Sequence, residues 1–459
     1  MSETQVTDAR GVPDEETGLK RSITGRLLFF YVLGDVLGSG IYVLIGSVAG
    51  AVGGAFWIAF AVGVTVATIT GLAYAELVTK YPRAAGAALF VNLAFRNRFL
   101  TFLITVCMLS ASFAAAGSLA TGFAAYFQQV WALPPALLLG LAFIVVLAVV
   151  NFIGITESVV ANLVMTIVEV GGLVIIMGIG VMYVVQGKAD LGTLTSFDAA
   201  GKSPLFAVVA GVALAFFAMT GFENAANVAE ETVEPHRTFP RALVGGMVVA
   251  GVLYVLVAIT AALTVPIGTL ADSDAALLEV IKADLLPVPV GIMTIAFAII
   301  AMIAITNTTL VALVTESRIL YGMAREDVVP GAFARIHRSR RSPWVALIFS
   351  AVVVAGLLLS PADLERLVAV TVVFTLFIYG LVIVAAMKLR GHDEDEHTFR
   401  PPVPLLVIGL VGNAVLLGYV LYTDPRSLIY CAVLLALGLA LFAIEHFFGR
   451  RDRPVETGA

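Results

Sequence analysis

Along nearly all of its 459 residues the chain repeats apolar runs of about 20 residues, the length a helix needs to cross the hydrocarbon layer of a bilayer. Only 13% of the residues are charged and the mean hydropathy is +1.01, whereas a soluble domain keeps about 25% charged residues at its surface. A length that would otherwise suggest about three soluble domains therefore reads as one membrane domain. The runs, bounded by polar and breaker residues, fall at 27–50, 55–79, 99–128, 135–153, 158–186 and 205–228, then at 241–265, 288–316, 343–360, 366–388, 402–422 and 427–448. The predicted fold is thus an all-α polytopic protein of about 12 transmembrane helices.

Twelve spans place both ends of the chain on one side. With the amino terminus inside, only Lys188, Lys202, Lys282, Arg366 and Arg426 of the 27 basic residues lie outside, and the run Arg335, Arg338, Arg340 and Arg341 stays inside. Short cytoplasmic loops retain positive charge in this way. The expected organisation is a cytoplasmic tail at 1–26, a core of ten spans at 27–388, a cytoplasmic loop at 389–401, two further spans at 402–448 and a cytoplasmic tail at 449–459. The first 26 residues lack a short apolar core followed by a small-residue cleavage site, so a removed signal peptide is not expected.

Several functions are disfavoured by what the chain carries. Its net charge of −5 is spread over short loops and tails with no basic stripe, which argues against nucleic-acid binding. Cys107 and Cys431 sit in separate apolar runs with no CxxC or Cys/His spacing, and the five histidines lie in or beside predicted cytoplasmic segments without metal-ligand spacing. The stretch from His392 to His397 is acidic and reads as a solvated loop. No HExxH or nucleophile motif is present, so neither an enzyme nor a cofactor is expected.

The chemistry lies in the spans. A carboxylate at the centre of a span costs about 2.5 to 3.5 kcal/mol on insertion scales, so each one asks for a partner, a proton or water. Asp35 lies on the first run, Glu169 in the middle of the fifth and Glu223 in the sixth, with no Lys or Arg in the same span interiors. Such acids are either protonated or face a cation. Glu169 reads as a coupling group or as a neutral carboxyl bonded to a neighbouring helix, and the rarity of intramembrane acids favours the first. Asp35 is either functional or wetted from the cytoplasmic side. Glu223 either contacts substrate or holds unwound backbone. Glu76 and Glu445 lie near predicted span ends, where solvation accounts for them. Two of the runs are also interrupted, at Gly38-Ser39-Gly40 and at Thr220-Gly221. Paired interruptions suggest an inverted repeat whose broken helices meet near the midplane and offer freed backbone groups to substrate and ions. Glycine used only for close helix packing is the alternative.

These residues resemble the amino-acid/polyamine/organocation permease superfamily, and in particular a bacterial amino-acid permease, over nearly the whole chain. Gly38-Ser39-Gly40-Ile41-Tyr42 is similar to the first-span signature. Phe216 to Asn224, reading FFAMTGFEN, is similar to the broken sixth helix. Ala229-Glu230-Glu231 with Pro235, Arg237, Pro240, Arg241 and Ala242 resembles the segment that follows it. Tyr74-Ala75-Glu76-Leu77 with Pro82 and Gly86, and Ser317-Arg318 with Ala324-Arg325 and Pro330, agree as well.

The resemblance implies a leucine-transporter-like five-plus-five inverted repeat with helices 1 and 6 broken. It implies a substrate site at Gly38, Ser39, Gly40, Ile41, Phe217, Thr220, Gly221, Phe222 and Glu223, with the first break receiving a carboxylate, carbonyls of both breaks receiving an amine, and Phe222 acting as a gate. Some proton-coupled members carry a lysine where this chain places Glu169, so either a protonatable carboxyl or a cation-binding acid replaces it. Gly34, Leu37, Thr308 and Thr309, with Asp35 and Glu169, form the candidate ion or proton site. The function implied is secondary transport of an amino acid across the plasma membrane by alternating access, with protons the expected coupling ion and sodium the alternative. The expected partners are a small amino acid or amine, the coupled ion and the lipid bilayer. The competing readings are a polyamine or amine permease, an exchanger, or a ligand-binding receptor that does not transport.

Overall fold

The computed structural model describes residues 23–448 except 84–85, 154–158, 198–202, 284–287, 339, 341 and 393–397. The expected tail up to residue 22, the acidic stretch at 393–397 and the tail beyond 448 lie outside the described residues.

Every predicted run is helical, in the order α1 (Gly25–Leu37), α2 (Gly40–Val52), α3 (Trp57–Lys80), α4 (Gly86–Phe95), α5 (Arg98–Gln128), α6 (Ala136–Ile153), α7 (Val159–Val185), α8 (Pro204–Ala218), α9 (Pro235–Thr264), α10 (Ile267–Ala271), α11 (Ala276–Ile281), α12 (Val290–Arg325), α13 (Trp344–Leu359), α14 (Leu364–Lys388), α15 (Val403–Thr423) and α16 (Ser427–Phe448). Among the described residues ten helices are long and apolar enough to cross a bilayer, or eleven when α1 and α2 are taken as one span bent by 42°. The ninth predicted span, α13, is apolar but has only 16 residues, about 24 Å of helix against a hydrocarbon thickness of about 30 Å. The short helices α4, α10 and α11 were not expected from the hydropathy pattern. The chain is a multi-pass membrane protein.

Local chemistry sets the helix starts. Thr24 and Asp363 cap α1 and α14 through Leu27 N and Arg366 N, and the Asn97 side chain accepts from Phe99 N and Leu100 N at the start of α5, satisfying amides that have no partner within the helix. Proline opens α8 and α9, where its missing N–H costs nothing.

Helix α5 is the central post, packed against α6, α12, α13 and α14, while α1 lies on α7 and α9, α2 on α8, and α3 on α8 and α9. Large apolar side chains face outward on the peripheral helices, among them Val145, Val149, Val407, Ile408, Val411 and Val415. This inverts the soluble pattern and gives lipid its solvent-facing surface.

Glu76 corrects one expectation. It is buried and forms a two-pronged ion pair with Arg390, whose Nε and Nη2 lie 2.8 and 2.7 Å from Oε1 and Oε2. Arg390 Nη2 also donates to Pro401 O at 2.7 Å, Lys80 Nζ donates to Leu389 O, and Phe399 N donates to Thr79 Oγ1 at 3.1 Å. The end of α3 is thereby tied to the turn after α14 and to the approach to α15. A span-end acid is open to water only when no neighbouring segment crosses over it, and hydropathy does not reveal that crossing.

Candidate functional site

Both interruptions seen in the sequence are breaks in the structure. Helix α1 ends at Leu37 and α2 begins at Gly40. Helix α8 ends at Ala218 and is followed, across Gly221 at φ +113°, by the 3₁₀ segment Phe222–Glu231. Only glycine adopts that φ without strain.

The two breaks touch. A β-carbon on Gly40 would lie 2.4 Å from Ala218 Cα, and one on Gly221 would lie 2.6 Å from the Asp35 carbonyl oxygen. The Tyr254 hydroxyl of α9 lies 2.5 Å from Val36 O and 3.2 Å from Ala218 O, bridging the ends of α1 and α8. A second link joins the approach to α1 to the end of the 3₁₀ segment, where Ile23 N donates to Glu231 O and Val233 N donates to Ile23 O, each at 2.9 Å.

The residues around the first break are held from α12. Thr308 Oγ1 accepts from Ser39 N at 3.2 Å and would meet a β-carbon on Gly38 at 2.6 Å. Gly34 O accepts from Gly38 N at 3.1 Å, and Leu37 is the last residue of α1. The structure therefore brings Gly34, Leu37, Gly38, Ser39 and Thr308 together. Thr309, about 100° further round its helix, instead donates to Ile305 O at 2.7 Å. Ser39 is buried, and its hydroxyl has no hydrogen-bond partner among the described residues. Ile41 is fully buried on the first turn of α2, where helix amides lack partners within the helix.

At the second break the backbone is already engaged. Phe217 O accepts from Thr220 N at 3.2 Å and from Thr220 Oγ1 at 2.7 Å, Phe216 O accepts from Met219 N at 3.0 Å, and Gly221 O accepts from Asn224 N at 2.9 Å. Glu223 turns back on the break, its Oε2 accepting from Gly221 N at 2.8 Å and from the Tyr379 hydroxyl at 2.6 Å. Phe222 is buried, with its ring 5.6 Å from that of Tyr74 and 5.1 Å from that of Tyr379.

Glu169 lies at the other side of the crossing. It is fully buried on α7, with Asn307 Nδ2 3.4 Å from Oε1, and Oε2 has no hydrogen-bond partner among the described residues. Its backbone carbonyl accepts from the Tyr42 hydroxyl at 2.9 Å, and Tyr42 O in turn accepts from the Tyr126 hydroxyl at 2.9 Å. Asn307 precedes Thr308 and Tyr42 follows Gly40 by two residues, so Glu169 is one side chain removed from the first break. Asp35 is half-buried on α1, with its carbonyl against Gly221.

The sequence reading passed over Tyr42, Tyr254, Tyr379 and Asn307, which join the breaks to the surrounding helices. A tyrosine in an apolar run is ordinarily read as hydrophobic bulk, yet its hydroxyl needs a partner when buried, and that need was the available signal. Glu316, on α12, was also passed over. Among the described residues no group of three or more His, Cys, Asp or Glu side chains is placed to hold a metal ion.

The profile of the family described as amino acid permease matches residues 25–439. The chain belongs to that family. It is similar to the branched-chain amino acid permease BcaP of Bacillus subtilis (strain 168), 26% identical over 423 residues that cover 87% of this chain and 88% of that one. It is also similar to the methylthioribose transporter of the same organism, at 26% over 418 residues covering 85% and 87%. The serine/threonine exchanger SteT, again of Bacillus subtilis (strain 168), is 24% identical over 454 residues covering 96% and 99%. The broken elements therefore belong to a permease, and the resemblance read from the first and sixth runs holds across the chain.

Proposed function

We propose that this permease is a secondary active transporter that moves an amino acid across the plasma membrane by alternating access, coupled to protons. The observation that carries the reading is the meeting of the two broken helices, with Gly40 on Ala218 and Gly221 on the Asp35 carbonyl. Helix ends set against each other inside a membrane bundle present opposite backbone dipoles to a small zwitterion. In this reading the free amides of the first turn of α2, at Gly40 and Ile41, with Gly38 and Ser39, receive the α-carboxylate. Thr220, Gly221 and carbonyls of the breaks receive the amine, Phe217 and Phe222 close over the substrate, and Glu223 fixes the second break. Glu169 carries the coupled proton, because a buried carboxyl bonded only to a neutral amide has no counter-charge and gains by binding one. Asp35, Gly34, Leu37, Thr308 and Thr309 form the alternative cation site.

The same reading takes the core as residues 27–388 in a five-plus-five inverted repeat within twelve spans, α15 and α16 as accessory, and both termini as cytoplasmic. Exchange is the second reading, favoured by the similarity to a protein named as a serine/threonine exchanger.

The experiment is uptake of a labelled panel of amino acids, polyamines and methylthioribose into proteoliposomes, with and without an inward proton gradient at fixed sodium. Concentrative, gradient-driven uptake of one or a few amino acids is expected. Uptake only against preloaded substrate would establish the exchanger, and binding without uptake would overturn transport.

A further inference from the structure

Glu316 is the one fully buried carboxyl among the described residues that the transport reading leaves unused. It lies on α12 nine residues after Asn307, about 13 Å along the helix, and is 0% exposed. Three helices enclose its side chain. Ser112 of α5 donates to Oε1 at 3.2 Å and lies 3.3 Å from Ala312 O. Ser350 of α13 is its neighbour on the other side, fully buried. Neither Ser350 Oγ nor Glu316 Oε2 has a well-formed hydrogen bond among the described residues.

Among the described residues no positive charge is paired with this acid. Helices α6 and α13 carry no ionisable side chain. Helix α5 contributes Arg98 at its start, Cys107, which sits beside Cys431 of α16, and Tyr126, whose hydroxyl donates to Tyr42 O. Helix α7 contributes Glu169 and Tyr183, the turn Gly331–Ala334 only the following Arg335, and α12 itself Arg318, Tyr321 and Arg325. Among the described residues none of these forms a hydrogen bond or ion pair with Glu316, whose one hydrogen bond is the one from Ser112.

The two hydroxyls can satisfy both protonation states. As a carboxylate, Glu316 accepts from Ser112 and Ser350. As a neutral acid, it donates from Oε2 to Ser350 Oγ, and Ser112 turns its single hydrogen to Ala312 O. A site meant only to glue helices needs one fixed arrangement, whereas here each hydroxyl hydrogen has an acceptor in either protonation state. Ser112 is also half-buried, as are Thr101, Thr105 and Met108 on the same face of α5 at helical spacing. That face runs from the exposed Arg98, on the side predicted to be cytoplasmic, to the hydroxyl that touches Glu316.

We propose that Glu316, with Ser112 and Ser350, is a second proton-binding site of this permease, set in the α5–α12–α13 packing and exchanging its proton along the Ser112 face of α5. The ligand is a proton rather than a metal cation, because a single carboxylate and two hydroxyls fall short of the six or so oxygens that hard cations gather. The site stands apart from Glu169 and does not depend on the transport reading.

The test is an infrared pH titration of the carboxyl bands of the purified full-length protein in nanodiscs, between about pH 4 and 9. It compares wild type with Glu316→Gln, Glu316→Asp and Glu169→Gln. Wild type and Glu169→Gln are expected to show a titrating carboxyl that Glu316→Gln lacks and Glu316→Asp restores. If wild type and Glu316→Gln differ by a band that does not change with pH, Glu316 is fixed packing and the proposal fails. If the midpoint moves with added sodium at constant ionic strength, a cation competes for the site and the proton assignment fails. Should Glu316→Gln not fold, Ser112→Ala keeps the carboxyl and removes the donor 3.2 Å from Oε1 of its charged form. It is expected to raise the midpoint by up to about one pH unit, and an unmoved midpoint overturns the proposal.

Discussion

Replacing Gly40 by alanine tests the idea that the two breaks are held by backbone contact. The added β-carbon would sit 2.4 Å from Ala218 Cα and 2.6 Å from Ala218 Cβ. Ordinary contact begins about 1 Å further out, and the nearest obstacle is backbone, which cannot rotate away. Either α2 and α8 separate by about that amount or the break unwinds, and overpacking of this kind costs about 1 to 3 kcal/mol. Gly356 is the control: it lies within α13 and a β-carbon there meets nothing within 4 Å, so alanine should stabilise by about 0.5 to 1 kcal/mol through helix propensity. The assay is the thermal midpoint of the purified protein by fluorescence-detected gel filtration, with binding of the substrate found in the uptake panel measured alongside. Gly40→Ala is expected to lower the midpoint and weaken binding, while Gly356→Ala leaves binding alone and holds or raises the midpoint. Adding Ala218→Gly should rescue little, because it removes the atom at 2.6 Å and leaves the one at 2.4 Å. Full rescue, or a Gly40→Ala midpoint at or above wild type, would refute the contact argument.

Three further substitutions probe the surrounding network. Glu169→Gln keeps an acceptor for Asn307 and should leave the thermal midpoint nearly unchanged while abolishing the response of uptake to an imposed pH gradient; undiminished proton-driven accumulation would remove Glu169 from the coupling role. Glu76→Gln leaves the Arg390 guanidinium, whose side chain is 22% exposed, without its paired charge and should cost about 3 kcal/mol; the more exposed Lys282–Glu279 pair provides a comparison in which Glu279→Gln should change the midpoint little. Tyr254→Phe deletes the hydroxyl shared by Val36 O and Ala218 O and should cost about 1 to 2 kcal/mol, seen as a lower midpoint with the helical circular dichroism intact.

What was legible in the sequence follows from the scale of the signal. A span declares itself by about 20 apolar residues in a row, so the predicted runs are helical, and ten or eleven spans among the described residues are long and apolar enough to cross. The breaks were legible because glycine has a specific backbone use, and Gly221 adopts the φ of +113° that requires it. The failures come from what hydropathy averages away. The eighth run ends at 316 by composition, but α12 continues to Arg325, so Glu316, at the edge of the run, was passed over although it lies well inside a helix. Glu76 was placed in water because its covering segment, the chain around Arg390 and Pro401, is more than 300 residues distant in sequence. Gly40 was expected to offer its backbone to substrate, and hydropathy did not reveal that a β-carbon there would also meet Ala218.

The buried acids divide by the kind of group that meets them. Glu76, toward one end of the bundle, is pinned by an arginine, and a bidentate ion pair of this geometry is expensive to separate. Glu169, Glu223 and Glu316 lie within the spans and are met by neutral groups: the Asn307 amide, the Tyr379 hydroxyl with the Gly221 amide, and the Ser112 hydroxyl. A neutral donor lets a carboxyl gain or lose a proton without stranding a buried cation, and a single hydrogen bond is cheap enough to exchange during a helix movement. An arginine at any of these three positions would hold the acid ionised and the helices fixed. The distribution therefore separates an acid pinned by a charge from acids met by neutral groups, and the second group lies on α7, on the segment after α8 and on α12.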